Sequence, residues 1–362
     1  MGITGAFNAI LHSSVDLKDF YDFVFVIPIN SSNDKVLSNE GFRVYKLKMV
    51  EINRNVLNNL SYFFYLSFNT LKILKIIARH SVKIVHVNDI YNLLGISTRI
   101  LTSVKLIIHA RRLKNSFPSI FFESWMFLGK IFSHQIIAVS NAVWFQVNHN
   151  KTEMIYDRIP MTQDLPELNF LDNTGKFKML YLANFTFGKG QQHALEVMKI
   201  LVKQKGYDDI SLTFAGDDFN NPSNIHFKKE LISKSIDYGL ESKVQFKNFI
   251  RNVEQEMKSH DVVLNFSESE SFSFTCVESL FYGVPLIATN SGGPAELFEH
   301  AISGYLVEKK DYLAMVSHIL TLKRDVGLRK KISKDGKKYV KQKFSFENTS
   351  LKLKQIYIKL IQ

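Results

Sequence analysis

Two glutamates stand eight residues apart in the segment ESFSFTCVE, Glu270 at its start and Glu278 at its end, directly after the apolar run Asp261 to Phe266. The run has the length and composition of a buried strand, and Phe274 to Tyr282 reads as the helix that follows it. Glu270 then lies in the strand-to-helix loop, with Glu278 a turn inside the helix. A helix start offers backbone N–H groups to a phosphate, while carboxylates beside it can take sugar hydroxyls. Ser271, Ser273 and Thr275, interleaved with Phe272 and Phe274, are small enough to let backbone approach a diphosphate. The chemistry this spacing suggests is the handling of a nucleotide sugar. A solvated loop with a helix-capping carboxylate has the same local pattern, so the pair is weighed with its neighbours.

Those neighbours form an ordered series. Gly283 reads as a helix C-terminal cap and Pro285 as the opening of the next strand. Gly292 and Gly293 end that strand where backbone can come close to a ligand, and Gly304 to Val307 follow. Upstream, Tyr181 to Gln191 reads as strand, loop and helix start, with Asn184 in the loop. Lys189 and Gly190 place an ammonium at the positive helix end, suited to a diphosphate. Ala215 to Asp218, with Gly216, reads as a turn at a strand end. His109 ends the strand Leu106 to His109, ahead of Arg111 and Arg112; a strand-end histidine is often structural, and a basic loop is often simply solvated. Gly2 and Gly5 bracket a glycine loop leading into a helix from Phe7 to His12. No strand precedes that loop, although such a loop normally follows the first strand of a βαβ unit.

The elements that must position these residues alternate along the chain. Strands are expected at 23–29, 43–48, 82–87, 106–109 and 135–139, with long helices at 57–79 and 120–132 between them. Residues 161–176, with Pro166, Asn173 and Gly175, read as a linker. The alternation then restarts with a strand at 178–185, a helix at 190–203, and strands at 211–215, 243–249, 261–266 and 285–289. A parallel sheet with helices on both faces is implied twice. The expected organisation is α/β, two Rossmann-like doubly wound domains facing a cleft: residues 1–160, then 177–343, with a last helix in 344–362 packing back towards the first domain. The first strand of the first domain is expected to be missing. Ligands in such sheets lie off the carboxyl ends of the strands.

The series Glu270 to Val307 resembles retaining glycosyltransferases of the GT-B fold, family 4, whose pattern runs E-x-F-G-x-x-x-x-E-A, G-x-P, a GG-x-x-E loop and G-x-L-V. Ser273 stands where the family has glycine, and Ser279 where it has alanine. The resemblance implies a donor sugar contacted by Glu270, nucleotide ribose hydroxyls taken by Glu278, and a diphosphate on the N–H groups of Phe274 and Thr275. It implies Lys189 on the phosphates. Asn184 replaces the family's arginine there, leaving Lys189 as the sole fixed cation, with either weaker donor affinity or help from another basic residue. His109 falls where the family places a histidine facing the donor sugar, and His86 in an architectural stretch. The implied reaction is hexose transfer from a UDP-, GDP- or ADP-sugar to an acceptor hydroxyl with retention, in bacterial surface polysaccharide synthesis (capsule, O-antigen or lipopolysaccharide). The acceptor would be a glycan or a lipid-linked glycan. No cofactor or metal is expected, because no suitably spaced His/Cys set and no D-x-D in a metal-binding context is visible. An epimerase on the same fold, and a donor-binding inactive subunit of a transferase pair, stay open as alternatives.

Composition limits the remaining classes. The 362 residues carry a net charge of +12, of which residues 1–160 hold +8 (18 Lys/Arg against 10 Asp/Glu). Such a surface attracts anionic lipid, phosphate-bearing substrates or nucleic acid, and no nucleic-acid module favours the last. The single cysteine, Cys276, excludes an intramolecular disulfide and fits a reducing cytoplasm. No signal peptide is seen, and no apolar stretch reaches the roughly 20 residues that span a bilayer. Lys72, Lys75, Arg79 and Lys83 share one face of a helix, and 117–132 is rich in aromatics. A core helix with a wet basic edge has this pattern, and so does peripheral docking on the inner face of the cell membrane.

Overall fold

The computed structural model describes residues 5–50, 56–159, 168 and 175–362. The linker expected at 161–176 lies almost wholly outside them. The chain divides into two compact units, residues 1–160 with 346–362, and residues 161–345.

In the first unit, β1 (Val24–Pro28) and β2 (Arg43–Leu47) form a parallel pair. A second parallel sheet holds β3 (Ile84–Val87), β4 (Lys105–Ala110), β5 (Gln135–Ala138) and β6 (Thr152–Met154) in chain order. Leu106, Ile107, Ile136 and Ile137 have no exposed surface, as expected of strands covered on both faces. β6 escaped the sequence reading because three residues, one of them charged, carry no periodic signal. The helix Ser350–Ile361 packs Leu353, Ile356 and Tyr357 against Leu17, Ile107, Ile137 and Ile155, so the C-terminal residues complete the core of this first unit. It starts at Ser350, inside the expected 344–362, because the N–H groups of Thr349 and Leu351 both turn back to the Phe346 carbonyl. Gly5, expected in a loop, is the first residue of the helix Gly5–Leu17. A first-turn N–H has no intrahelical partner to lose, so glycine is tolerated there. Gly2 to Thr4 lie outside the described residues.

The second unit is one six-stranded parallel sheet in the order β12-β11-β10-β7-β8-β9. Its strands are β7 (Phe177–Leu182), β8 (Ile210–Ala215), β9 (Val244–Lys247), β10 (Val262–Asn265), β11 (Leu286–Thr289) and β12 (Tyr305–Val307). Every residue of β10 and β11 is buried. β7 ends at Leu182, short of the expected 185, because the Phe185 N–H reaches across to the Asp217 carbonyl and the chain turns over the end of β8. The helix Gln191–Lys199 passes into a π-helical turn at Ile200–Gln204. The helix Phe274–Tyr282 has the expected bounds and stops at Gly283, which takes the left-handed conformation (φ 79°) that glycine adopts without penalty. Cys276 is fully buried in this helix, and burial pushes its thiol up to about 12.

Candidate functional site

In the second unit the chain leaves β7 towards β8 and β9, and leaves β10 in the opposite direction, towards β11 and β12. The loops that follow β7 and β10 therefore diverge, and an open crevice between two such loops is where sheets of this kind take ligands. Lys189 lies in the first loop and Glu270 in the second. The structure brings them together: Lys189 Nζ donates to Glu270 Oε1 at 2.7 Å. Ser267 Oγ donates to the same oxygen at 2.9 Å, while Oε2 has no partner among the described residues. A cation and a half-used carboxylate thus share one strand-end crevice.

Both loops are pinned by contacts that a local sequence pattern does not show. The buried Tyr181 hydroxyl donates to the Lys189 carbonyl at 2.6 Å and accepts from the Phe266 N–H at 2.7 Å, tying the β7 loop to the end of β10. Burial raises its pKa well above the ordinary value, which keeps the donated proton on the oxygen. Thr289 Oγ1 holds the Ser267 carbonyl at 2.6 Å. Gly190 sits at φ +84°, and a Cβ there would fall inside the Phe266 carbonyl, so the turn behind Lys189 requires glycine. Gly292 and Gly293 lie against the Glu270 loop. The Gly293 N–H donates to the Glu270 carbonyl at 2.7 Å, and the space a Gly293 Cβ would fill is taken by Ser271 and Phe272 backbone.

The helix Phe274–Tyr282 begins at this crevice. Ser273, where a glycine was expected, caps it: its Oγ accepts from the Cys276 N–H at 3.4 Å and from Asn265 Nδ2 at 3.0 Å. The N–H groups of Phe274 and Thr275 have no acceptor among the described residues, as the first turn of a helix dictates. Thr275 Oγ1 donates to the Leu182 carbonyl at 3.1 Å, fastening that turn to the end of β7. Phe272 is buried against Phe274 and Phe344. Glu278 stands a turn further on, with no ion pair among the described residues, and burial alone pushes its pKa up to about 7.

Two other expected site residues shape the loop after β7. Asn184 Oδ1 accepts from the Asp217 N–H at 3.3 Å, and its carbonyl accepts from Gln191 Nε2 at 2.9 Å. Gly216 makes room for the Ala183 carbonyl, so its lack of a side chain shapes the Asn184 turn. Lys189 is not the sole cation at these strand ends. The Lys228 ammonium lies 4.7 Å over the Phe185 ring and donates to Asn248 Oδ1 at 2.8 Å, beside the ends of β7, β8 and β9. Glu268, two residues before Glu270, bridges to His193 Nε2 at 3.2 Å, and His193 Nδ1 is 2.9 Å from the Tyr312 hydroxyl. Sequence reading missed Tyr181, Ser267, His193 and Lys228. Among the described residues, no three His, Cys, Asp or Glu side chains are grouped to hold a metal ion.

In the first unit, His109 is buried at the end of β4. Its Nδ1 lies 3.3 Å from His86 Nε2 and 3.2 Å from Arg111 Nη2, and its Nε2 has no partner among the described residues. Arg111 is itself buried, paired with Asp157 and bonded to Asn88. Burial and the Arg111 charge hold His109 well below the ordinary histidine range, so it is neutral. Arg112 is exposed, 3.8 Å from Asp89 and stacked over Tyr91.

Residues 169–339 match the sequence model described as "Glycosyl transferases group 1". Among curated proteins, the alpha-1,3/1,6-mannosyltransferase ALG2 of Dictyostelium discoideum is 34% identical over 165 residues, covering 43% of this chain and 38% of that protein. The N-acetyl-alpha-D-glucosaminyl L-malate synthase of Bacillus anthracis is 25% identical over 210 residues, 58% of this chain and 52% of that protein. This chain thus aligns with about half, or less, of the length of these relatives. Among solved structures, Anabaena HepE in complex with UDP and glucose superposes with a TM-score of 0.80 at 18% identity, covering 99% of this chain and 96% of that one. That likeness establishes the architecture, in which both units find a counterpart. Residues 169–339 therefore belong to the glycosyl transferases group 1 family, carried on a GT-B fold.

Proposed function

We propose that the chain is a retaining glycosyltransferase that moves a hexose from a nucleotide-diphosphate sugar to an acceptor hydroxyl. The observation that carries this reading is the Lys189–Glu270 pair with a free Glu270 Oε2, set beside the unpartnered N–H groups of Phe274 and Thr275. In this reading the helix N–H groups and Lys189 take the diphosphate and stabilise the charge that grows on it as the anomeric C–O bond breaks. Glu270 Oε2 accepts sugar hydroxyls. The acceptor oxygen bonds to the anomeric carbon on the face the diphosphate leaves, and its proton passes to the departing phosphate oxygen. No metal is required of these groups. The solved HepE complex, which holds UDP and glucose, supports a nucleotide-sugar donor for this chain as well.

A thermal-shift panel of UDP, GDP, ADP and their sugars tests the reading. The matching nucleotide, at about 100 times its dissociation constant, should stabilise the protein by about 2.7 kcal/mol. Silence across the panel would remove the transferase reading and both alternatives, the epimerase and the inactive donor-binding subunit. Nucleotide release that depends on acceptor selects the transferase among the three.

Glu278 suits the ribose hydroxyls, and its burial makes that role pH-dependent. The unliganded carboxyl is neutral below about pH 7, whereas hydroxyl donors favour the carboxylate. Affinity for the donor is expected to rise with pH, by up to about tenfold per unit below 7, with proton uptake reversed to release on binding. Without ligand the sign is opposite. A folded pKa above the unfolded value means the folded state binds more protons, so stability falls as pH rises from about 4.5 to about 7. Calorimetry of a nucleotide sugar in buffers of differing ionisation heat reads the proton count. A Glu278→Gln variant with the same pH slope as the parent would dismiss the assignment.

The acceptor is proposed to be a surface glycan or lipid-linked glycan, met at the inner face of the cell membrane. The helices Val56–His80, Leu94–Leu101 and Ser119–Phe132 adjoin in the first unit and leave Phe63, Phe64, Phe68, Leu71, Ile100, Leu101, Ile120, Phe127 and Ile131 exposed. Their sequences hold Lys72, Lys75, Arg79, Arg99 and Lys130 against one acid, Glu123, which Lys114 pairs at 2.5 Å. A second copy of such a face would be repelled by like charge, whereas an anionic bilayer accepts both its rings and its cations. No described helix is long and apolar enough to cross the bilayer. The protein should sediment with anionic vesicles at low salt and be released at high salt. Phe64→Ser and Phe127→Ser should each weaken binding by about 1.5–3 kcal/mol. Equal sedimentation with neutral vesicles, or none with anionic ones, would count against this face.

A further inference from the structure

We propose that His109 is locked as its Nε2–H tautomer, by Arg111 on one side and by a Tyr357–His86 relay on the other, so that it meets substrate as a hydrogen-bond donor and never as a base. A guanidinium has donors only. Arg111 Nη2, 3.2 Å from His109 Nδ1, therefore requires that nitrogen to be bare. His109 is neutral, so its one proton sits on Nε2, the atom that is buried without a protein partner. His86 presents Nε2 to the same bare nitrogen at 3.3 Å. The two ring planes lie within 16° of each other with centroids 5.3 Å apart, which with the nitrogen separation places the rings edge to edge, as an N–H···N bond demands. His86 must then carry its proton on Nε2. Burial and Arg111 push its pKa down to about 3, leaving Nδ1 bare to accept from the Tyr357 hydroxyl at 2.8 Å. Burial raises the Tyr357 pKa, so the hydroxyl keeps its proton.

Every proton in the chain Tyr357, His86, His109 is thus assigned, and all three arrows point the same way. Both bonds to His109 Nδ1 are long, as expected of one lone pair shared by two donors. Arg111 cannot drift: Asp157 and Asn88 hold it, and Asn88 Nδ2 is anchored on the Ala6 carbonyl at 3.1 Å. Flipping His109 to Nδ1–H would set an N–H against both the guanidinium and the His86 N–H. What remains for a ligand is a single desolvated donor, which fits a sugar hydroxyl or phosphate oxygen and not a proton to be removed. An orphaned buried donor is unfavourable until an acceptor reaches it, so substrate oxygen binds there with no competing partner among the described residues. Tyr357 and His86 are positioning residues, and the helix Ser350–Ile361 thereby has a task beyond filling the core.

The tautomer belongs to the free chain, whereas what His109 meets rests on the transferase reading, and the two parts are tested separately. Nitrogen NMR of the full chain labelled at histidine, at about pH 7, should show Nε2 protonated and Nδ1 bare in both His86 and His109. Protonation at His109 Nδ1, or a doubly protonated ring, would overturn the lock whatever the enzyme does. In turnover assays Tyr357→Phe should lower kcat by about 10- to 100-fold, the scale of a misplaced catalytic contact, with nucleotide affinity unchanged. His109→Gln supplies an N–H that needs no tautomer lock, and should retain more activity than His109→Ala. In that His109→Gln background, Tyr357→Phe should cost nothing further. An undiminished cost there would show that Tyr357 acts through packing alone and would reject its role.

Discussion

Lys189→Met is expected to lower kcat/KM for the nucleotide sugar by about 10³-fold, the largest single effect in the molecule. Two losses combine. The first is a charge-assisted contact to the bound diphosphate, worth about 1.5–3 kcal/mol. The second is charge stabilisation as the diphosphate leaves, for which removal of one preorganised donor costs about 10²- to 10³-fold in turnover. Methionine keeps the apolar stem, and the fold behind it is set by backbone and by Tyr181, not by the ammonium. Stability without ligand should therefore change little. The partial exposure of the pair argues the same way, because a screened ion pair contributes little to folding. Steady-state kinetics together with a melting curve check both halves. A large fall in melting temperature with unchanged kcat/KM would move Lys189 from the reaction to the scaffold. Lys228 is a second described cation near the ends of β7–β9, so Lys228→Met in the Lys189→Met background should be more damaging than in the parent if both serve the diphosphate.

Glu270→Gln should separate the two halves of the donor. The amide keeps the shape of the carboxylate, but its one oxygen faces the Lys189 and Ser267 donors without the charge, and its N–H₂ stands where Oε2 is open to the sugar. Lys189 is then released from its internal counter-ion. Affinity for the bare nucleoside diphosphate should hold or rise slightly, while turnover of the nucleotide sugar falls by about 10²- to 10³-fold, because sugar hydroxyls lose a charged acceptor in the transition state. Titration of nucleotide and nucleotide sugar against the same variant reads both. Parallel loss of the two affinities would show Glu270 to be part of the phosphate cradle and not of the sugar site. The Lys189→Met, Glu270→Gln double variant should be far from additive, since each partner's removal changes what the other can do.

These contrasting legibilities follow from what each residue type reports locally. The run Asp261 to Phe266 and the helix Phe274–Tyr282 were readable because their apolar spacing matches one secondary structure, and Gly283 marks the stop. Glu270 and Lys189 were readable as a pair only through the order of motifs between them, since 81 residues separate the partners of the 2.7 Å bond. Tyr181 was not readable at all. A tyrosine in a strand looks like core, and only the sheet order brings its hydroxyl to Phe266, 85 residues away. Glycine signals close approach without saying by what: Ala183 backbone comes against Gly216, and Ser271 backbone against Gly293. Lys228 sits in a helix where a lysine is an ordinary surface residue, and its place over Phe185 is tertiary information. The Tyr357–His86 contact spans 271 residues and joins the last helix to β3; no window along the chain contains it.

The burial of Cys276 has a practical consequence. Thiol reagents require the thiolate, and a cysteine with no exposed surface and a thiol pushed up to about 12 supplies none. The wild-type chain is accordingly a blank background for maleimide chemistry. A cysteine introduced in place of exposed Phe127 would be the sole reactive site, without first deleting a native one. A polarity-sensitive fluorophore placed there would report immersion of the helix Ser119–Phe132 in lipid, and a spin label would report its depth, on a protein whose donor crevice has not been touched.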